Sequence, residues 1–353
     1  MDMNNEELLL GRQLMAEHYP HVDIAEIEVI QGGGIKTVWK LRTSLGTVCL
    51  KRIRKSIPIV NFTTAAQAYL YEKGALVCGI IPTEAGGLYF VHEGYALVLY
   101  SWIEGSDLEM DKNPEHLYAG LKGLAQFHQD SVGFVPPDDC ETYNRMGVWL
   151  EHYEKMLGEL KQWKSKAEVE VKLETEVETG VAMDNSQFYK LYLSTVDEMI
   201  YRAEEAIRLL DCSCYTEWVS SIGEYGYLCH QDYGKGNALQ TDTGVYVLDL
   251  DNLTYDIPIR DVRKLVTKRI EQLGNWDLEE IERMIRCYES ILPLTQGQKE
   301  ILYIDLLFPH KYYGYVKNPF KKGEPGELKK LMKNYQFDLE ALPALRLVLN
   351  ING

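Results

Sequence analysis

Residues 227–239 read YLCHQDYGKGNAL, and residues 245–251 read VYVLDLD. The first text contains the pattern His-x-Asp-x4-Asn, and the second is an apolar run that ends in Asp-x-Asp. Two glycines between the aspartate and the asparagine give this loop the freedom to turn back on itself. No other part of the chain indicates its architecture and its chemistry so directly.

The polar residues of this stretch suit phosphoryl transfer. Asp232 can accept the proton of a substrate hydroxyl, and Asn237 and Asp249 can supply oxygen ligands to the same Mg²⁺. Asp251 has two interpretations, a second metal ligand or the N-cap of the segment that follows. For His230, a structural role with its imidazole bound to the backbone is favoured over a role as a base.

The first hundred residues predict a small antiparallel sheet. Short runs rich in β-branched and aromatic residues are separated by turn residues such as Gly32-Gly33-Gly34. The predicted strands are Ile27–Ile30, Thr37–Arg42, Thr47–Ile53, Gly87–His92 and Tyr95–Trp102. Helical periodicity predicts one helix before them, Glu6–His18, and one between the third and fourth strands, Thr63–Lys73.

Beyond Asn113 the chain becomes helical. Long helical periods are predicted at Glu115–His128, Trp149–Ala167, Ser186–Leu210 and Leu278–Leu292. Residues 168–178, EVEVKLETEVE, alternate like a strand, yet Val169, Leu173 and Val177 also have the i, i+4 spacing of a helix. The periodicity leaves this segment undecided, and its acidity favours an exposed, mobile excursion.

The order of these features resembles that of the aminoglycoside phosphotransferase and choline kinase enzymes, which are relatives of the protein kinases. The resemblance runs through most of the chain. It implies a two-lobed, protein-kinase-like α+β fold, with an antiparallel-sheet lobe at residues 1–105 and a helical lobe at residues 106–353. ATP and Mg²⁺ are expected between the lobes.

The same resemblance implies roles for residues outside the loop. Lys51, in the text VCLK, becomes the phosphate-binding lysine of the third strand. The adenine-binding hinge becomes Leu97–Trp102, which includes Tyr100 and Trp102. Asp261 becomes the residue that braces the catalytic loop.

Two features depart from the kinase pattern. Gly33 and Gly34 belong to a three-glycine turn at the place of the phosphate cover, yet this turn lacks Gly-x-Gly-x-x-Gly and needs no ligand to explain it. The helix position that offers a glutamate to the lysine in kinases holds Gln67, so Lys51 lacks that ion pair. An amide at this position weakens the placement of the lysine and leaves the nucleotide contacts intact.

Lys235 and His128 each have a simple structural explanation. Lys235 lies in the glycine loop, where a solvated side chain is favoured over a contact with the γ-phosphate. His128 lies on an apolar helix face, where a hydrogen-bonded core histidine is favoured over a catalytic one.

More narrowly, the texts LYSWIEG, LAQFHQDSVG, LCHQDYGKGN and DLDNLTYDIPIRDVRKL resemble the CotS/CotI-type family of spore-coat proteins, which share the kinase-like fold. Members of that family are built into the protein shell of bacterial endospores. The resemblance therefore implies other spore-coat proteins as partners. It also implies a location in the spore coat after synthesis in the cytoplasm of the mother cell.

The overall charge limits the classes of partner. The chain has 353 residues, with 37 Lys and Arg against 53 Asp and Glu, and a net charge of −16. Such a chain repels phosphate backbones and anionic lipids, so neither a nucleic-acid nor a membrane partner is predicted. Seven scattered cysteines give no disulfide framework, and the acidic first residues lack the pattern of a signal peptide. These features favour synthesis in a reducing cytoplasm.

The sequence leaves two functions open. The set of Lys51, Asp232, Asn237 and Asp249 favours an ATP-dependent phosphotransferase that acts on an unidentified hydroxyl compound or coat component. Gln67 and the unusual glycine turn favour a catalytically silent protein that keeps the fold for coat assembly.

Overall fold

The computed structural model describes residues 3–31, 37–176 and 186–351. Gly33 and Gly34 therefore lie outside the described residues. The chain divides into two compact units. The first unit takes residues 1–144, 224–261 and 287–292, and the second takes residues 145–223, 262–286 and 293–353. The predicted lobe boundary at residue 105 stays a prediction, because this grouping does not test it.

The first unit begins with one antiparallel sheet. Its strands are β1 (Ile24–Gln31), β2 (Val38–Thr43), β3 (Gly46–Ile53), β4 (Phe90–His92) and β5 (Tyr95–Ser101). They pair in the order β1-β2-β3-β5-β4. All five predicted strands are present, because their alternating apolar residues give each strand a face that packs in a core.

A helix covers each face of the sheet. α1 (Met3–His18) packs on the face that carries Leu50, and α2 (Ile57–Glu72) packs on the face that carries Val98. Neighbouring residues along a strand point to opposite faces. Lys51 lies directly opposite Val98 in the register between β3 and β5, so its side chain projects on the α2 side.

The rest of the first unit holds the predicted loop. Its elements are β6 (Ser106–Asp107), α3 (Pro114–Ser131), β7 (Leu228–Cys229), β8 (Ala238–Thr241), β9 (Gly244–Val247), the 3₁₀ turn η1 (Leu250–Asn252) and β10 (Thr254–Tyr255). β6, β8 and β9 form a three-stranded sheet, and β7 pairs with β10. The predicted catalytic loop runs from β7 to β8, and η1 follows β9.

The second unit is helical. Its helices, two of which are shared with the first unit, are α4 (Trp149–Glu176), α5 (Ser186–Leu193), α6 (Val196–Asp211), α7 (Tyr215–Ile222), α8 (Ile259–Leu273), α9 (Leu278–Glu289), α10 (Gln296–Leu307), α11 (His310–Lys322) and α12 (Leu328–Leu345). Its core includes Trp163, Tyr192, Tyr312 and Phe320. None of the helices in the described part of the chain has the length and apolar character needed to cross a membrane.

The excursion expected at residues 168–178 is wrong for the part that the structure describes. Residues 168–176 continue α4, with Val169 and Leu173 55% and 45% exposed. A lone strand would leave its backbone groups unpaired, whereas an extended helix bonds them internally. The i, i+4 spacing therefore outweighs the alternation, and residues 177 and 178 lie outside the described residues.

The single helix expected over Ser186–Leu210 is also wrong, because it is two helices. α5 ends at Leu193 and α6 begins at Val196. The hydroxyl of Thr195, between them, donates to the carbonyls of Leu191 and Tyr192 at 3.0 Å each. Such side-chain bonds to the preceding turn compete with helix continuation, which explains the break.

Candidate active site

Lys51 is the centre of a cluster of charges in the first unit. Its ammonium nitrogen lies 2.7 Å from a carboxylate oxygen of Asp249 and 2.7 Å from one of Asp251. The side chains of Lys51, Asp249 and Asp251 are 14%, 31% and 10% exposed. The fold therefore brings the predicted lysine and both predicted acidic residues together.

The cluster lines a cavity of about 460 Å³, and every residue of the lining belongs to the first unit. A cavity of this size is in the range that holds small-molecule ligands. The predicted site residues found in the lining are Lys51, Gln67, Tyr100, Trp102, Asn237, Asp249 and Asp251.

The backbone at Asp249 aims both carboxylates at the same lysine. Asp249 adopts a left-handed conformation, with φ of 58°. Aspartate visits this region more readily than most residues, although it still costs about 1–2 kcal/mol. η1 starts at the next residue, so Asp249 occupies its N-cap position and Asp251 lies inside it. The N-cap interpretation of Asp251 is therefore wrong.

The charges of the cluster shift each other's pKa. Burial raises the pKa of Asp251; the Lys51 charge opposes this shift and the Asp249 charge adds to it. Burial alone would lower the pKa of Lys51, but the charges of Asp251 and Asp249 outweigh that effect and raise it. When both carboxylates are ionised, they exceed the single ammonium by one negative charge. Such an excess favours the binding of a further cation.

Asp261 holds the loop that carries His230 and Asp232. Its carboxylate oxygens accept the backbone N–H groups of His230 and Gln231 at 2.5 and 3.0 Å. His230 Nε2 lies 2.7 Å from the carbonyl of Leu248, so this nitrogen carries the proton. Nδ1 then accepts the N–H of Asp232 at 3.3 Å. Both ring nitrogens are bound to backbone, which leaves neither free to act as a base.

Asp232 presents an exposed carboxylate that has no hydrogen bond or ion pair with any residue in the described ranges. Its backbone carbonyl accepts the side-chain amide of Asn237 at 2.8 Å, which closes the glycine loop. Asn237 lines the cavity and Asp232 does not. The amide nitrogen of Asn237 is thus engaged, and its oxygen is the atom that can serve as a ligand.

Gln67 is buried in α2 and lines the same cavity as Lys51. Its side-chain amide donates to the backbone carbonyl of Cys78 at 2.8 Å. Lys51 finds its carboxylates on Asp249 and Asp251 instead of on α2. Gln67 therefore supports the cavity wall, and two ion pairs hold the lysine without a helix glutamate.

Tyr100 and Trp102 lie at the predicted hinge and line the cavity. Burial raises the pKa of Tyr100 well above its ordinary value, and the charge of Asp251 adds to the shift. The phenol is therefore neutral at pH 7. The ammonium of Lys40 lies 4.3 Å from the ring centroid of Trp102, a cation–π distance that fixes the indole in the wall.

Cys49 and Cys78 also line the cavity, and the sequence did not single them out. Burial raises the pKa of Cys49 to about 11 and that of Cys78 to about 12. Both thiols are therefore neutral at pH 7 and act as small apolar groups. Strand alternation could have indicated Cys49, two residues before Lys51, but the loop that holds Cys78 has no such period.

Lys235 and His128 have the structural roles that the sequence favoured. Lys235 is 47% exposed, and its ammonium lies 3.9 Å from a carboxylate oxygen of Asp111. His128 is fully buried, with Nδ1 2.7 Å from the hydroxyl of Tyr288 and Nε2 3.3 Å from Asp261. It is a core histidine.

His128, Cys229 and Asp261 lie close enough together to share a metal ion. Each already has protein partners, however. The thiol of Cys229 lies 3.3 Å from the carbonyl of Ile257, and both oxygens of Asp261 accept backbone N–H groups. The group is a hydrogen-bonded core beside the predicted catalytic loop.

The chain is similar in sequence to known spore-coat proteins. A family model described as "Spore coat putative kinase YutH" matches residues 59–341. The chain is also similar to spore coat protein S of Bacillus subtilis. The two are 28% identical over 309 residues, which cover 87% of this chain and 83% of that protein.

Solved structures of phosphotransferases have the same fold. An aminoglycoside phosphotransferase from Alicyclobacillus acidocaldarius matches with a TM-score of 0.71 and 18% identity, over 93% of this chain and 92% of that one. A spectinomycin phosphotransferase in complex with ADP and spectinomycin matches with a TM-score of 0.55 and 14% identity, over 94% and 93%. A choline kinase from Cryptosporidium parvum matches with 0.52 and 12%, over 96% of each chain. The predicted two-lobed, protein-kinase-like α+β fold is confirmed.

Proposed function

The chain belongs to the "Spore coat putative kinase YutH" family, and from that premise we propose that it is a spore-coat phosphotransferase. It binds Mg-ATP in the Lys51 cavity and transfers the γ-phosphoryl group to a hydroxyl compound or coat component. The observation that carries the proposal is the pair of 2.7 Å contacts from Lys51 to Asp249 and Asp251 inside a cavity of about 460 Å³. The name of its Bacillus subtilis relative supports a destination in the coat. Synthesis in the mother cell is part of the same proposal.

The lining of the cavity suits a nucleotide. Val38, Leu239 and Trp102 offer apolar contacts to a planar base, and Lys51 offers a cation to phosphate oxygens. Two solved structures of one spectinomycin phosphotransferase of this fold hold ADP and AMP, which supports the choice of nucleotide.

Asp249, Asp251 and Asn237 fit magnesium. All three offer oxygen atoms, the donors that Mg²⁺ prefers, and the two carboxylates exceed the charge of Lys51. Bound magnesium supplies positive charge to the β- and γ-phosphate oxygens. Until the nucleotide binds, Lys51 neutralises part of the carboxylate charge and keeps both groups in place.

Asp232 takes the role of the base. Its exposed carboxylate has no partner in the described part of the chain, so it is free to accept the proton of an incoming hydroxyl. Asp261 and His230 hold the backbone N–H groups of His230, Gln231 and Asp232 through hydrogen bonds. A base fixed in this way contributes about 10²–10⁴ in rate.

Calorimetric titration with ATP, in the presence and absence of magnesium, tests the binding step. We expect wild type to bind ATP more tightly with magnesium, and we expect Asp249→Ala to lose that difference because one charged ligand is gone. Asp242→Ala is the matched control, since Asp242 is an exposed acid in the turn between β8 and β9. Equal affinity of wild type and Asp249→Ala under both conditions would rule the proposal out.

A further inference from the structure

Residues 317–333 carry a local positive charge in an acidic chain. They contain six lysines against two glutamates, a net charge of +4, whereas the whole chain carries −16. They span the end of α11, the connection and the start of α12. We call residues 317–333 the basic segment. Its lysines, all with exposed side chains, are Lys317, Lys321, Lys322, Lys329, Lys330 and Lys333.

Folding favours only part of this placement. Lys321 and Lys322 lie in the last turn of α11, where the helix dipole favours basic groups. Lys329 and Lys330 lie in the first turn of α12, where the helix dipole favours acidic groups, and that turn contains no acid. Lys317 and Lys321 are also i, i+4 neighbours on α11, as Lys329 and Lys333 are on α12. Like charges at this spacing destabilise a helix. The charges of Lys317, Lys329 and Lys333 therefore call for an explanation other than helix stability.

Half of these lysines have no ion pair with the residues that the structure describes. Lys321 pairs with Glu159 at 2.6 Å, and Lys330 pairs with Glu327 at 2.5 Å. Lys322 has a looser contact with Glu324, at 3.7 Å. The other three have no ion pair with any residue that the structure describes, and they are Lys317, Lys329 and Lys333.

A segment of the first unit has the complementary charge. Residues 104–115 contain five acids and one lysine, a net charge of −4. We call them the acidic segment. Glu104, Asp107 and Glu115 are exposed and have no ion pair with residues in the described ranges. Of the other two acids, Glu109 pairs with Lys112 at 2.7 Å and Asp111 lies 3.9 Å from Lys235.

We propose that the basic segment of one molecule binds the acidic segment of a second copy of this chain. At physiological ionic strength the Debye length is about 8 Å, so the segments attract locally while the repulsion between whole molecules is largely screened. A nucleic acid or an anionic bilayer would extend beyond the basic segment and meet the remaining −20 of the chain. A protein surface with its own compact acidic segment avoids that repulsion.

The contact joins two unlike surfaces. A molecule that uses its basic segment still has its acidic segment available for another copy, so association can continue beyond a pair. Such growth suits a protein that is deposited in a shell, and it does not depend on catalytic turnover.

Sedimentation velocity of the purified full chain, over a range of protein concentrations, tests the contact. We expect wild type to associate at about 0.15 M salt and to dissociate at about 1 M salt. Lys317→Glu/Lys329→Glu/Lys333→Glu breaks no ion pair within the described residues and should weaken association about tenfold or more. Lys122→Glu/Lys166→Glu/Lys268→Glu makes the same change in net charge at exposed lysines elsewhere and should leave association close to that of wild type.

The decisive experiment reverses the charges of both segments in separate variants and then mixes the variants. Glu104→Lys/Asp107→Lys/Glu115→Lys should also fail to associate by itself. An equal mixture of this variant with the Lys317/Lys329/Lys333 variant should associate, because each then offers the other an opposite charge. A wild type that stays monomeric, a control variant that weakens association as much as the test variant, or a mixture that does not associate would each overturn the proposal.

Discussion

The Lys51 cluster of the first unit and the Asp305 cluster of the second unit both bury acidic groups, and they balance the charge in opposite ways. In the first, two carboxylates share one ammonium. In the second, one carboxylate has three partners. Arg263 Nε lies 3.0 Å from Asp305 and His310 Nε2 lies 2.6 Å from it, and the hydroxyl of Tyr153 donates a further bond.

The pKa shifts of Asp251 and Asp305 follow the charge balance of their clusters. Burial raises the pKa of Asp251. The charge of Lys51 opposes this shift only in part, because the charge of Asp249 adds to it. Burial acts in the same direction on Asp305, yet the charges of Arg263 and His310 overcome it and hold the pKa of Asp305 well below its ordinary value. A carboxylate whose partners are complete stabilises the fold. A cluster with unbalanced negative charge retains the capacity to bind a cation.

Removing a carboxylate from each cluster should therefore give very different results. We expect Asp305→Ala to lower the free energy of unfolding by about 3–5 kcal/mol, because it leaves Arg263 buried without its charge partner. Asp249→Ala should lower it by less than about 1 kcal/mol, because the excess negative charge is relieved. Urea unfolding followed by tryptophan fluorescence measures both, and similar losses would contradict the distinction between the clusters.

Gln67 lies beside the Lys51 cluster. Its substitution by Glu should change the free energy of unfolding more than it changes nucleotide binding. Gln67→Glu removes the amide that donates to the carbonyl of Cys78 and puts a carboxylate against that carbonyl. We expect a loss of about 1–3 kcal/mol in unfolding free energy. Gln67→Met, which is similar in shape and carries no charge, is the control for the lost hydrogen bond alone. An unchanged melting temperature for Gln67→Glu would show that this bond is unimportant.

Lowering the pH should also distinguish the two clusters, with a smaller effect than the substitutions. Since the pKa of Asp251 is raised, it takes up a proton at a higher pH than an ordinary aspartate and stops serving as a metal ligand. We expect Mg-ATP affinity to fall as the pH is lowered, and to begin falling at a higher pH than the ionisation of an ordinary aspartate would give. Asp305, with its lowered pKa, stays ionised at that pH and keeps its stabilising effect. Calorimetry as a function of pH should find a weaker pH dependence in Asp251→Asn, and an unchanged dependence would point to another group.

Several features of the Lys51 cluster could be predicted from the sequence. Asn237 and Asp249 could be placed near each other because both lie in short motifs whose residue types suit magnesium, and both line the cavity. Lys51 and the kinase-like fold could be predicted from the family resemblance, and the face on which Lys51 projects follows from strand alternation. The role of Asp232 stays a prediction.

Other features depend on contacts that no local pattern records. The four residues of the Asp305 cluster come from α4, α8, α10 and α11. Gln67 has its partner in the loop at Cys78, so its role could not be inferred from a kinase position alone. Asp249 adopts a left-handed conformation and Asp251 lies inside η1, and no local sequence pattern indicates either feature.

The rate of ADP formation from Mg-ATP by wild type and by Asp232→Asn is the most direct test of the proposed phosphotransferase activity. The substitution keeps the shape of the side chain but removes its ability to accept a proton. Spore-coat extract and a panel of hydroxyl metabolites serve as acceptors, and thermal stabilisation by Mg-ATP is measured on both proteins. We expect turnover by wild type with at least one acceptor, a rate about 10² lower for Asp232→Asn, and equal stabilisation of both by Mg-ATP. Equal rates for the two proteins, or no turnover by wild type with any acceptor, would contradict the proposal.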